Sequence, residues 1–117
     1  MALTKVTTAV LNDGTVTNNK LGAEFTTSSV MATDNVDFSV AQVFTKTLSA
    51  ATNITFSNYS IGGVKDLVIT GVQTLSFTTG TVNVAAGEYD GTLSNLIQVL
   101  CTDATTPTFW ITISQPQ

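Results

Sequence analysis

Hydrophobic and polar residues alternate along most of this chain. Val36, Phe38 and Val40 alternate with Asp37 and Ser39, and Phe44, Lys46 and Leu48 share one side of the stretch from Gln42 to Leu48. Ile54 and Phe56 flank Thr55, Leu75 and Phe77 flank Ser76, and Val82 and Val84 flank Asn83. Near the end, Phe109, Ile111 and Ile113 alternate with Trp110 and Thr112, with Pro107 placed just before, where its missing N–H does little harm. A period of two, broken by turn residues such as Asn58 to Gly63, predicts half-buried β-strands. The run Leu67-Val68-Ile69 reads as a strand covered on both faces.

The segment 92–101 fits two periods. Leu93, Leu96, Ile97 and Leu100 fall at helical spacing, with Asp90 or Thr92 available as a cap. The same residues also alternate, with Ile97, Val99 and Cys101 on one side and Leu96, Gln98 and Leu100 on the other. The β-rich surroundings and the Thr102-Asp103 turn favour a strand. The predicted core is Phe44, Leu48, Ile54, Phe56, Leu67, Ile69, Leu75, Phe77, Ile97, Val99, Phe109, Ile111 and Ile113.

Residues 1–35 break this pattern. Their larger apolar side chains, Val6, Val10, Leu11, Val16, Leu21 and Phe25, are spread among Thr, Asn and Gly. Burying so few does not offset a backbone ordering cost of about 1–2 kcal/mol per residue. The segment therefore reads as an extended attachment arm that gains order by docking, with those six residues as its contacts. The competing reading is a hairpin of 4–11 and 15–21 added to the main sheet. With no convincing internal repeat, residues 36–117 read as an all-β domain, a small β-sandwich or jelly-roll-like barrel.

Composition narrows the function classes. The chain has 117 residues, of which 43% are hydrophobic and only 10% charged, so it suits one folded domain with an unusually neutral surface. The missing charge is replaced by Thr, Ser and Asn, which suit pleated surfaces and are cheaper to desolvate than Lys or Glu. The net charge is −4, and Lys5, Lys20, Lys46 and Lys65 are the only basic side chains, which argues against nucleic acid as a partner. The absence of a long apolar run or a basic amphipathic helix argues against a membrane, and Met1 to Lys5 lacks the order of a signal peptide. Cys101 is alone, so it reads as a buried free thiol in a chain made in a reducing cytoplasm.

Candidate chemistry is sparse. Without His there is no Ser–His or Cys–His pair and no ordinary zinc or copper site, so neither a catalytic residue nor a cofactor is expected. Glu88 and Asp90 flank Tyr89 between Gly87 and Gly91, a spacing open to paired-acid chemistry or weak Ca²⁺ binding but better read as a solvated loop. Asp34 and Asp37 read as a solvated linker. Tyr59, Tyr89 and Trp110 are candidates for surface recognition by stacking on sugar, against the alternative that they anchor a core or an interface.

Three blocks carry a resemblance. Gln42 to Ala50 with Thr52 to Asn58, Leu67 to Gly71 with Thr74 to Phe77, and Asn95 to Asp103 with Thr106 to Trp110 resemble a module of tailed-bacteriophage fibre and other virion proteins. Met1 to Val6 and Asp13 to Gly22 are similar to the amino-terminal regions of phage fibres. The resemblance implies a non-enzymatic virion structural protein, a short fibre or spike or a fibre component, made in the bacterial cytoplasm. It implies self-association, usually as a homotrimer, and contact with tail, collar or capsid proteins. A capsid decoration (cement) protein and a tip module binding host surface glycan are the alternatives.

Overall fold

The computed structural model describes residues 17–117. Among the described residues there are nine strands: β1 (Ser28–Val30), β2 (Asn35–Asp37), β3 (Val43–Thr47), β4 (Thr52–Ser57), β5 (Val64–Thr70), β6 (Leu75–Phe77), β7 (Thr81–Ala86), β8 (Asn95–Asp103) and β9 (Thr108–Ser114). A 3₁₀ turn, Asn18–Lys20, and a single helical turn, α1 (Ala23–Thr26), precede them.

The first six strands alternate between two layers. β1, β3 and β5 join the larger sheet, and β2, β4 and β6 form the smaller one. Each strand pairs in parallel with the strand two places away: Phe44 with Leu67, Val36 with Phe56, and Ile54 with Phe77 are partners in register. Consecutive strands never pair, so the chain winds from layer to layer in a solenoid-like coil. The coil then changes character. β7 lies at the far edge of the larger sheet, and the antiparallel pair β8–β9 fills the space between it and β5, giving the order β1-β3-β5-β8-β9-β7.

The expectation of an all-β, two-layered core holds, but the ladder differs from the antiparallel order of a jelly roll. The reason is local. The connections between strands carry the chain across to the opposite sheet, ~10 Å away, instead of folding it back beside itself. Period-two alternation is the same in either arrangement, so the pattern alone does not separate them. The segment 92–101 resolves as a strand: β8 starts at Asn95, with Asn95, Ile97, Val99 and Cys101 inward and Leu96, Gln98 and Leu100 outward. Asp90 accepts from the Thr92 N–H (2.9 Å) and hydroxyl (2.6 Å) as a helix cap would, but the chain goes on into β8, where pairing with β5 and β9 buries every second residue.

Aromatic rings join the layers. Phe56 of β4 meets Phe109 of β9 at 4.6 Å between centroids, Tyr59 stands edge-on to Phe109 at 4.9 Å, and Phe38 stands edge-on to Phe56 at 6.1 Å. Most of the predicted core is buried around them. Leu75 and Phe77 are only partly covered, because β6 is the open edge of the smaller sheet. Val36 and Phe38, which alternate with Asp37 and Ser39 but lie outside the predicted core, are buried as well, and so are Met31 and Ala41, which no alternation marks. The sheet begins at Ser28 rather than near Val36: Ser28, Ser29 and Val30 pair with Val43, Phe44 and Thr45. Residues 28–35, assigned to the arm by composition, are therefore part of the folded body. Being three residues long, β1 carries too little alternation to register as a strand.

Asn95, fully buried, ties the 87–94 loop to this body. Its amide Nδ2 donates to the carbonyls of Ile69, Asp90 and Leu93, and its Oδ1 accepts from the Asp90 N–H and Gln115 Nε2. Gly87 enables the same turn: its φ is 82°, and a Cβ there would collide with the Ile113 carbonyl. Replacing Asn95 with Leu should strand these buried backbone groups and cost roughly 2–4 kcal/mol, read as a lower urea midpoint. A midpoint within error of the parent would mean that water takes over the role of Asn95.

Candidate functional site

The two sheets present very different outer faces. Side chains on the outside of the smaller sheet are polar and bonded to one another. Asn35 Nδ2 donates to Ser57 Oγ (2.8 Å), Thr55 Oγ1 donates to Asn35 Oδ1 (2.9 Å), Asn53 Nδ2 donates to Thr78 Oγ1 (2.7 Å), and Ser76 Oγ donates to Asn53 Oδ1 (3.3 Å). Strand pleating puts Asn, Ser and Thr, and Asp37 at the end of β2, at the outward positions there, a surface suited to water.

The outside of the larger sheet carries an apolar patch among polar positions. Register places Val64, Leu100 and Trp110 in one row across β5, β8 and β9, and Val68 beside Leu96 in another. Trp110 is 47% exposed, Val64 42%, Leu96 39% and Leu100 37%. Between these rows lie Asp66, Gln98 and Thr112, and Gln98 Nε2 donates to the Asp66 carboxylate at 3.0 Å. A second apolar opening lies between the edge strands β6 and β7. It is a cavity of about 360 Å³ whose walls include Leu75, Phe77, Val82, Val84 and Tyr89.

The predicted attachment residues fall into two groups. Val6, Val10, Leu11 and Val16 lie outside the described residues. Leu21 and Phe25 are 43% and 53% exposed. The Phe25 ring lies 5.2 Å from the ammonium of Lys65, whose Nζ also donates to the Glu24 carbonyl at 2.6 Å and sits 5.9 Å from the Phe38 ring. Lys65 is itself buried; it fastens α1 to the start of β5 through the Glu24 carbonyl and the Phe25 ring, and also donates to Gln42 Oε1 at 3.5 Å. Sequence reading missed this latch, since a lysine between Val64 and Asp66 looks like a solvated strand position. Burial pulls its ammonium below the usual lysine range, against the attraction of Glu24.

The three aromatics proposed for recognition do not form one platform. Tyr59 packs against Phe38 and Phe109, and the Tyr89 hydroxyl donates to the Gly71 carbonyl at 2.7 Å. Burial, and then the charge of Asp90, push the Tyr89 phenol up. Both tyrosines are thus core anchors, and Trp110 points away from them on the outer face. The acids are likewise engaged locally. Asp34 pairs with Lys46 at 3.1 Å, and the Asp37 carboxyl is held below its usual range by the Ser39 hydroxyl and the Asn58 amide. The Asp90 carboxyl is lowered by its bonds from Thr92. Among the described residues, no group of three His, Cys, Asp or Glu side chains is arranged to hold a metal ion. Cys101 is buried, and desolvation pushes its thiol up.

Comparison with protein-family models, curated proteins and solved structures finds no match.

The Lys65 latch has a pH signature. The folded chain gives up this proton at lower pH than the unfolded chain, so the unfolded state binds more protons just below pH 10.5. Stability contributed by this group should therefore rise with pH in that window. Lys65→Met should lack the rise and be at least as stable as the parent at neutral pH, because an apolar isostere removes a desolvation cost. Urea midpoints of both proteins from pH 7 to pH 11 test this; parallel curves would show that Lys65 is not desolvated.

Proposed function

We propose that this chain is a structural protein of a bacteriophage particle: a short fibre or spike, or one component of a fibre, attached through its N-terminal segment and packed against copies of itself. The single observation that carries the reading is the contrast between the outer faces. One is a lattice of Asn, Ser and Thr hydrogen-bonded to one another, and the other carries the apolar patch of Val64, Leu96, Leu100 and Trp110, suited to being covered. The resemblance of the three sequence blocks to phage fibre modules supports the same role, and a solenoid-like stack of parallel strands is a sensible element for a load-bearing part. The jelly-roll likeness belongs here too, as kinship of role and layering rather than of strand order.

The second reading is a capsid decoration protein, favoured by the same apolar face if the shell, rather than another copy, covers it. A glycan-binding tip draws less support, since Trp110 stands without the two tyrosines.

Gold labelling of the protein on intact particles, viewed by electron microscopy, distinguishes the two main readings. Label on tail or collar is the expected result, label over the head supports decoration, and particles without label overturn both. Removing residues 1–16 should leave the thermal melt nearly unchanged while abolishing incorporation into particles. Removing residues 1–35 should also destabilise the fold, because it strips β1 from β3 and Met31 from the core. Full incorporation of the shorter deletion would place attachment in the folded body.

A further inference from the structure

The geometry points to the outer face of the larger sheet, centred on Trp110 and Leu100, as the surface on which a second copy of this chain docks. This deepens the self-association in the reading above by naming its surface. The patch lies across β5, β8 and β9, and within one chain only the inner face of these strands is covered. The smaller sheet shows what a solvent face looks like in this same molecule, and the larger sheet departs from it in the Val64–Leu100–Trp110 and Val68–Leu96 rows, which flank the polar row of Asp66, Gln98 and Thr112.

Size and charge argue for a copy of itself as the occupant. Across β3, β5, β8, β9 and β7, at ~4.8 Å per strand and ~7 residues of ~3.3 Å, the face measures roughly 24 by 23 Å. Two such faces in contact remove roughly 1,100 Å² from water, enough to clear the ~1,000 Å² expected of a biological interface. The paired outward positions hold a single ionisable group, Asp66, already bonded to Gln98. A face with no cation gives a differently charged partner nothing to steer by. Self-association needs only what every copy already carries. Trp110, large and half-exposed beside the shorter Leu100 and Val64, has the character of an interface anchor.

The chain has one tryptophan, so its fluorescence reports on this surface alone. In the full-length protein, light scattering should give a multiple of 12.3 kDa. On dilution to monomer, Trp110 emission should shift to the red and its quenching by acrylamide should rise. Trp110→Glu and, separately, Leu100→Glu should each weaken association by roughly 100-fold, as expected for loss of a central anchor. Ser76→Glu, on the outside of the smaller sheet, should leave association unchanged, and circular dichroism checks that each variant is folded. Should a variant fail to fold, the dilution-dependent emission of the parent still decides the matter. A monomer at millimolar concentration with a freely quenched tryptophan overturns both the surface and the self-association. An oligomer whose tryptophan stays freely quenched, and which folded Trp110→Glu and Leu100→Glu leave intact, overturns the surface alone. Neither result bears on the labelling of particles.

Discussion

The contact between Phe56 and Phe109 holds the two halves of this protein together. Phe56 belongs to the parallel coil and Phe109 to the terminal hairpin, so their rings, at 4.6 Å, join elements more than fifty positions apart in the chain. The other aromatics gather on this pair: Phe38 and Tyr59 edge-on, and Phe77 stacked on Phe56 at 6.0 Å. Such pairs add about 0.5–1.5 kcal/mol each beyond the area they bury. In a small domain with few charges, this cluster does the work that ion pairs and disulfides do elsewhere.

Much of the fold was legible in the sequence, because burial on one face leaves a period-two trace whatever the strand partner. Ile97, Val99 and Cys101 fell on the predicted side, as did Phe109, Ile111 and Ile113. Pairing partners left no such trace. Phe44 reads the same beside Leu67 in parallel as it would beside an antiparallel neighbour. One short element was also lost. β1 has three residues, and the apolar residues near it are interspersed with Ser and Thr. The boundary of the folded body was accordingly set too late.

The site residues were harder to read, because function at a surface depends on which positions point outward together. Trp110 was visible as an unusual residue. Its neighbours Leu100 and Val64 became a patch only once register aligned them across three strands. Tyr59 and Tyr89 carry the same amphipathic character as Trp110, yet geometry turns them inward, one onto Phe109 and the other onto the Gly71 carbonyl. Lys65 shows the converse: a charge that composition assigns to solvent is enclosed by Glu24, Phe25 and Phe38.

The placement of β7 has a consequence for how the chain acquires its structure. β7 spans Thr81–Ala86, but its sheet neighbour is β9, Thr108–Ser114, near the end of the chain. During synthesis β7 emerges first and must wait, with Val82 and Val84 uncovered, until the hairpin has been made and inserted beside β5. Folding of the larger sheet can therefore be completed only after Thr108–Ser114 has left the ribosome. Closure over so many non-local pairs is intrinsically slow. Late closure also delays the formation of the Val64–Leu100–Trp110 row until β9 is in place.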